Sequence, residues 1–362
     1  MTGRVALILP NLGGGGAERV NICLAKEFIE RGLEVEFVLM CASGELLGLV
    51  PATSHIVDLK TRRIRNLIGP LTQYIRDKKP DAVLASMWPL TSMAIACTRL
   101  ARVATRVLSW EHATLSQQYA NRGAVHRQLL KSSVAVTYPL ANARVAVSEG
   151  VANDLVRLSG IARSTITVIS NPVPTPSVDG RQEDPGWGVP HGRRILSVGR
   201  LNAQKNQELL IRAFARMPQS DESRLILLGE GPLRGALGSI AHEQRVTDRV
   251  IMPGFIVDPS PYYGSADLFV LSSDSEGLPT VLVEALGWGL FVVSTDCPSG
   301  PAEILENGRY GSLVPVGDVD ALATAMNEAL NSAHDKDALR ARAADFLPSR
   351  AADKFVHLLF PR

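Results

Sequence analysis

Two acids eight positions apart, Glu276 and Glu284, lie in the most chemically informative stretch of the chain, Ser273-Asp274-Ser275-Glu276-Gly277-Leu278-Pro279-Thr280-Val281-Leu282-Val283-Glu284. A strand-like apolar run comes before it and a loop turns at Gly277. A helix is expected to begin near Pro279, since proline suits a first helical turn. The unpaired N–H groups of a helix start carry partial positive charge and attract phosphate. Glu276 falls in the loop and Glu284 about one turn into the helix, so the carboxylates are separated rather than paired. One can accept hydrogen bonds from the hydroxyls of a sugar and the other from those of a ribose, with a diphosphate on the helix end between them. The plainer alternative is a helix-start glutamate plus a surface glutamate.

Other residues could join that chemistry. Val198-Gly199-Arg200-Leu201 and the following Lys205-Asn206 place two cations between a strand and a helix. Arg200 and Lys205 could neutralise a diphosphate and stabilise its charge as it leaves, work done elsewhere by a metal ion. Taken singly, each is an ordinary surface charge. In the first half, Gly14-Gly15-Gly16-Ala17-Glu18 also lies between strand and helix, and its lack of side chains lets the backbone approach a phosphate or an acceptor closely. It is not the dinucleotide fingerprint G-x-G-x-x-G, and a bare turn is the alternative. His112, beside Trp110 and Glu111, follows a strand's carboxyl end, where ligands of α/β proteins sit. A lone histidine is otherwise more often structural. Asp318-Val319-Asp320 has the Asp-x-Asp form, but it directly precedes a helix expected from Ala321. A capping role explains it, and no metal site is expected.

The elements that must position these residues alternate between strand and helix. Val5–Leu9, Val35–Met40, Asp81–Ser86, Thr105–Ser109, Ala143–Val147 and Ile166–Ile169 read as strands. Between them, residues 17–31, 61–78, 91–101 and 149–158 have helical apolar spacing, with Pro70 expected to kink the second. Alternation restarts after a proline-rich break, with strands at 194–198, 224–228, 250–252, 268–271 and 291–294, and helices at 209–217, 280–288, 320–330 and 351–359. Such alternation predicts parallel sheets covered on both faces, in two similar α/β halves that share a ligand groove. The expected division is a first domain over 1–172, a linker over 173–192, a second domain over 193–345, and a C-terminal helix over 346–362, whose return to the first domain is one option.

Composition narrows the class. The chain has 362 residues, 46% hydrophobic and 20% charged, enough apolar material for two cores. No run of about 18 uncharged apolar residues exists, and the short apolar N-terminal strand does not read as a signal peptide. Cys23, Cys41, Cys97 and Cys297 fit neither a zinc spacing nor a disulfide framework, which predicts buried thiols in a reducing cytoplasm. Net charge is +2 but unevenly spread: residues 1–180 carry 20 Lys/Arg against 13 Asp/Glu. From Lys60 to Arg144 there are 14 basic residues and three acidic ones, Asp77, Asp81 and Glu111. One-sided positive charge points to an anionic partner such as a membrane face, a pyrophosphate or a nucleic acid; a solvated helix face is the alternative.

Glu276 through Glu284 resembles the E-x7-E motif of the retaining glycosyltransferases of family 4, which have the GT-B fold of two Rossmann-like domains across a cleft. Gly199-Arg200-Leu201 with Lys205-Asn206, Gly229-Glu230-Gly231-Pro232, Ser148-Glu149-Gly150-Val151, Asn171-Pro172-Val173 and residues 294–304 are similar to that family's pattern in its order. By this resemblance Glu276 holds the donor sugar and Glu284 the ribose. Gly199, Arg200 and Lys205 hold the diphosphate with backbone groups of Gly277, Leu278 and Thr280, and Phe255 flanks the base. Gly16 adds a first-domain contact to the donor, while Gly14, Gly15, Trp110 and His112 face the acceptor, His112 also lying near the anomeric carbon. Arg200, Lys205, Glu276 and His112 are then the catalytic set.

The resemblance further implies a nucleotide-sugar co-substrate, no metal or other cofactor, and front-face substitution with retention. UDP-hexose or UDP-N-acetylhexosamine is the first donor expectation and GDP-mannose the second. The implied acceptor is a glycan or a polyprenyl-pyrophosphate-linked sugar, at an anionic inner membrane surface suited to the Lys60–Arg144 region, with no nucleic acid and a cytoplasmic location. Two competing readings are a nucleotide-sugar epimerase on the same scaffold and a nucleotide-sugar-binding module without chemistry.

Overall fold

The computed structural model describes residues 3–176, 185–188, 192–218 and 223–361. In chain order its first half contains β1 (Arg4–Leu9), α1 (Gly16–Glu30), β2 (Glu34–Leu39), β3 (His55–Asp58), α2 (Ile68–Lys78), β4 (Ala82–Ser86), α3 (Leu90–Ala101), β5 (Arg106–Glu111), α4 (Leu115–Gln118), α5 (Ala124–Thr137), β6 (Ala143–Ala146), α6 (Glu149–Ser159) and β7 (Ile166–Val168). The second contains β8 (Arg194–Val198), α7 (Gln207–Arg216), β9 (Arg224–Leu228), α8 (Arg234–Glu243), β10 (Val250–Gly254), α9 (Ser260–Ser265), β11 (Leu268–Leu271), α10 (Thr280–Gly287), β12 (Val292–Thr295), α11 (Pro301–Ile304), β13 (Ser312–Val314), α12 (Val319–Asn331), α13 (Lys336–Ala343) and α14 (Pro348–Leu359).

The chain divides into two compact units: Met1–Pro172 with Leu347–Arg362, and Val173–Phe346. Unit 1 has a sheet of strand order β3-β2-β1-β4-β5-β6-β7, and unit 2 one of order β10-β9-β8-β11-β12-β13. Every strand pairing is parallel. Parallel strands need crossover helices on both faces, so central strands are apolar throughout. Val5 to Leu9 of β1 are accordingly all buried. In each sheet the order reverses beside the first strand, between β1 and β4 and between β8 and β11. Loops leaving two such neighbours diverge to opposite faces, which opens a crevice at the carboxyl edge.

Several boundaries differ from the sequence reading, each for a local reason. The helix read from 61 to 78 starts at Ile68, so Pro70 lies in its first turn, where a missing N–H costs little, and kinks nothing. The stretch assigned to a linker is partly structural: Trp187 is wholly buried in unit 2, its indole N–H donating to Ser265 Oγ at 2.8 Å. Residues 177–184 and 189–191 of that stretch lie outside the described residues. Cys97 and Cys297 are buried, whereas Cys23 and Cys41 are only half-buried; among the described residues all four are free thiols. Asp318 Oδ1 accepts the Ala321 N–H at 2.9 Å and so caps α12. A second Asp-x-Asp, Asp335-Lys336-Asp337, which the sequence reading passed over, is also a cap: Asp335 Oδ1 accepts from Asp337 and Ala338.

The C-terminal helix α14 completes the core of unit 1. Phe355 is fully buried, edge-on to Phe28 of α1 and 4.7 Å from the Trp110 ring of β5. At the surface Arg31 donates to Asp353 Oδ1 at 2.8 Å and to the Ser349 carbonyl at 3.2 Å. Phe355→Ala removes a ring with no room to collapse and should cost about 3–5 kcal/mol, read as a lowered urea midpoint. A loss under about 1 kcal/mol would show that α14 is peripheral.

Candidate active site

In unit 2 the reversal point gathers the sequence motifs. β8 ends at Val198 and runs into Gly199-Arg200; β11 ends at Leu271 and runs into Ser272 through Glu276. The two loops are tied by an ion pair: Lys205 Nζ lies 2.5 Å from Glu276 Oε1, with side chains 18% and 8% exposed. Ser273 Oγ donates to the same oxygen at 2.6 Å. Oε2 of Glu276 makes no hydrogen bond among the described residues, so it is free to accept one from a ligand. Lys205 is itself fixed. Its backbone N–H is capped by Asn202 Oδ1 at 3.1 Å, and its carbonyl accepts from Ser272 Oγ at 2.9 Å. Asn206 Nδ2 to Asp274 Oδ1 and Gln204 Nε2 to the Ser275 carbonyl, both 2.8 Å, close the seam.

Arg200 is exposed, and its guanidinium makes no hydrogen bond or ion pair among the described residues. Its loop is set by tight backbone packing. Gly229 has φ +139°, and a Cβ there would lie 2.1 Å from the Gly199 carbonyl oxygen, so only glycine fits. Gly199 in turn lies against Lys205, whose Cε is 3.3 Å from where a Cβ would stand. Beyond Glu276, Gly277, Leu278 and Pro279 are buried and Thr280 half-buried. Pro279 takes the N-cap position with extended backbone rather than the first helical position, and α10 starts at Thr280 without a side-chain cap. That leaves its first N–H groups to a ligand. Ser299 Oγ holds the Gly277 carbonyl at 2.9 Å. Glu284 accepts the Tyr263 hydroxyl at 2.8 Å on Oε2. Phe255, half-buried, follows β10 at the same edge.

Unit 1 carries the remaining expected residues, at the ends of β1 and β5. Gly14, Gly15 and Gly16 make the turn into α1, with Gly15 at the N-cap and no side-chain cap. Glu18 folds back on this turn, its Oε2 only 2.4 Å from where a Gly15 Cβ would stand. A carboxylate lodged at the helix start disfavours phosphate there and leaves the turn better suited to hydroxyls. Trp110, expected at the acceptor, is fully buried between Phe355 and His112, its ring 4.3 Å from the imidazole; it backs the site and cannot touch a ligand. Both His112 ring nitrogens are shielded from solvent. Burial pushes the imidazole down to about 3, only partly opposed by the neighbouring Asn171 side chain. His112 is therefore neutral at pH 7, a hydrogen-bonding group rather than a proton carrier.

Sequence reasoning missed the residues that hold others in place. Ser273 was legible, three positions before Glu276. Tyr263, 21 residues before Glu284, had no local signal. Glu111 is 99% enclosed: it accepts the Tyr138 hydroxyl on Oε1 and the Trp88 N–H at 3.3 Å on Oε2, pinning the turn after β4. Burial raises its pKa to about 7, tempered by the Tyr138 hydrogen bond. An acid raised in this way stabilises the fold fully below its ordinary 4.5 and loses that contribution as pH rises through about 7. Glu111→Gln removes this loss. Relative to the variant, the native chain should weaken by about 2–3 kcal/mol between pH 5 and 8, measured by urea unfolding. An equal difference at both pH values would mean that Glu111 is not raised.

Family models match both halves of the chain. The family model described as "Glycosyltransferase Family 4" matches residues 14–176, and that described as "Glycosyl transferases group 1" matches residues 192–332. The chain is 27% identical to the N-acetylgalactosamine-N,N'-diacetylbacillosaminyl-diphospho-undecaprenol 4-alpha-N-acetylgalactosaminyltransferase of Campylobacter jejuni subsp. jejuni, over 88% of either chain. It is 25% identical to the lipopolysaccharide 1,6-galactosyltransferase of Escherichia coli strain K12, over 87% of this chain and 86% of that one. Among solved structures, the Anabaena protein HepE with UDP and glucose superposes with a TM-score of 0.83 at 19% identity, covering 99% of both chains. The apo form of the lipopolysaccharide outer core galactosyltransferase WaaB gives 0.75 at 21% identity, with the same coverage.

Proposed function

The chain belongs to the family-4 glycosyltransferases of the GT-B fold, and from that we propose that it moves a hexose or N-acetylhexosamine from a UDP-sugar to a lipid-linked or lipopolysaccharide-type glycan, with retention at the anomeric carbon. The observation that carries this reading is the Lys205–Glu276–Ser273 cluster at the reversal point of unit 2, on the same β8 loop as Arg200, whose guanidinium has no partner among the described residues. Arg200, Lys205 and the uncapped start of α10 supply positive charge for a diphosphate. Glu276 offers its free Oε2 to a sugar hydroxyl, and Glu284, oriented by Tyr263, accepts from the ribose. UDP is favoured by structural relatives whose crystals hold it, and a lipid-linked acceptor by the diphospho-undecaprenol substrate in the Campylobacter name.

In this mechanism the bond from the anomeric carbon to the diphosphate breaks as the acceptor oxygen forms its bond on the same face. The acceptor proton passes to the departing phosphate oxygen. Glu276 is held by Lys205 and Ser273 as a hydrogen-bond acceptor, which suits binding better than nucleophilic attack. Rate then comes from positioning and from stabilising the leaving charge. His112, neutral, would bind a hydroxyl, and the glycine turn at Gly14–Gly16 would take acceptor hydroxyls. The reaction would run at the inner face of a membrane, where such acceptors are displayed.

Arg200→Ala should fold normally and lose about 10²–10³ in kcat, as deletion of one charged donor to a developing anion does. Lys205→Ala should lose as much and also strip Glu276 of its counter-ion. Near-native turnover in both would remove the diphosphate assignment. In thermal-shift titration, UDP and UDP-sugars should raise the melting temperature more than GDP-sugars, and transfer should persist in EDTA. Activity abolished by EDTA and restored by manganese would overturn the metal-free mechanism, and a larger shift with GDP-mannose would reassign the donor.

A further inference from the structure

The loop that carries His112 is held by a residue far outside it. Strand β5 ends at Glu111, and α4 begins at Leu115, three residues after His112. Helix α4 is a single turn, too short to keep its place by its own hydrogen bonds. Of its residues only Leu115 is buried. Its N-cap is Thr114, a residue type whose side chain ordinarily accepts an N–H of the first turn. Here it does not: the Thr114 hydroxyl donates to Gln117 Oε1 at 3.0 Å and makes no cap bond.

The cap comes instead from Asp154 on α6, 38 residues beyond the turn it holds. Asp154 Oδ2 accepts the Ser116 N–H at 3.0 Å, and Oδ1 accepts the Ser116 hydroxyl at 2.5 Å. Asp154 is wholly buried. Its one ionic contact among the described residues, Arg157 Nη2 at 3.4 Å, is long and comes from a side chain 70% exposed. A carboxylate enclosed with so little counter-charge is a poor source of stability, so its contribution is to geometry. Helix α6 is a firm base for it. Ser148 Oγ caps α6 at the Val151 N–H, and the Val147 N–H donates to the Glu111 carbonyl, both at 3.2 Å.

His112 thus lies in a four-residue span, 112–115, between two fixed points: Glu111, held by Tyr138 and Trp88, and Ser116, held by Asp154. The far end of α4 returns to the same turn. Tyr119 donates its hydroxyl to the Trp88 carbonyl at 3.3 Å, and its ring stands edge-on to that indole at 4.9 Å. We propose that Asp154 is a positioning residue, which by clamping Ser116 holds the His112 loop in the arrangement that receives the acceptor. This deepens the transfer reading above and rests on it. Enclosed as it is, Asp154 touches neither substrate and acts only through Ser116.

The chemistry of the clamp sets the test. An aspartate accepts on both oxygens, whereas an asparagine accepts on one side and donates from the other. Asp154→Asn can keep both contacts, because the serine hydroxyl can turn to accept. Asp154→Ala keeps neither, and Ser116→Ala, at an exposed residue, removes only the hydroxyl bond. Asp154→Ala should raise the acceptor KM about tenfold, the size of one lost cap. The UDP-sugar KM and the thermal shift produced by UDP should stay native. Ser116→Ala should raise the acceptor KM about threefold, and Asp154→Asn by less than about twofold. In protein labelled with 15N-histidine, the His112 imidazole signals, assigned with His112→Ala, should move in Asp154→Ala and return in Asp154→Asn.

A native acceptor KM in Asp154→Ala, equal losses toward donor and acceptor, or an Asp154→Asn as impaired as the alanine variant would overturn the proposal. If Asp154→Ala does not fold, Ser116→Ala decides: an unmoved acceptor KM with unmoved imidazole signals overturns it. Imidazole signals that move and return as expected, in a chain that transfers no sugar, would keep the clamp and defeat the transfer reading instead.

Discussion

Everything in unit 2 turns on the ion pair between Lys205 and Glu276. It joins the loops that leave β8 and β11, the neighbours at which the sheet reverses its order. A pair so enclosed is a poor source of stability, because desolvating both charges offsets most of their attraction. Its value lies in position. Asn202 and Ser272 fix the backbone of Lys205, and Ser273 fixes the Glu276 carboxylate. Both charges are therefore aligned before any ligand arrives, and none of the ligand's binding energy goes into arranging them.

The fold presents this pair by a simple constraint. Parallel strands all end at one edge, so short loops from β8, β9, β11 and β12 crowd together there. Crowding is relieved by glycine. A Cβ on Gly231 would stand 2.2 Å from the Leu201 carbonyl, and one on Gly300 2.5 Å from Pro279 Cδ. Leu201 is held from both sides, donating to the Glu230 carbonyl and accepting from the Leu233 N–H. Arg200, one residue earlier, is thereby displayed on a tightly packed backbone while its guanidinium makes no hydrogen bond among the described residues.

Most of this was legible because the central strands of a parallel sheet are continuous apolar runs, and because the motifs sit directly after them. What was not legible has physical causes. Strand β3 lies at a sheet edge with mostly exposed side chains, so it carries no apolar run. Helix α8 contains Gly235 and Gly238, which weaken its helical signal. Helix α5 escaped notice for the opposite reason: it is apolar on both faces, Leu130 and Val134 inside and Val125, Leu129 and Val136 outside, so no single stripe stands out. Trp110, which the resemblance puts at the acceptor, is enclosed by Phe355 from the far end of the chain, a packing that no local sequence signal reveals. Tyr263 and Glu111 act through partners distant in sequence.

The two units divide the electrostatic work. In unit 2 burial is incomplete and Lys205 and Glu276 face one another as ions, with Arg200 making no ion pair among the described residues. In unit 1 burial acts on neighbours of opposite type, raising Glu111 to about 7 and lowering His112 to about 3. Desolvation thus drives both toward neutrality at physiological pH. The start of α1, which would otherwise attract phosphate, is met by Glu18. Hydroxyl groups, which need hydrogen bonds and no counter-charge, are the chemistry that such a surface can accept. Among the described residues, Glu18 occupies the start of α1, whereas the start of α10 has no side-chain cap and the Arg200 guanidinium no ion pair. The proposed placing of a nucleotide diphosphate on unit 2 and a hydroxyl-bearing acceptor on unit 1 rests on where burial has removed charge and where it has kept it.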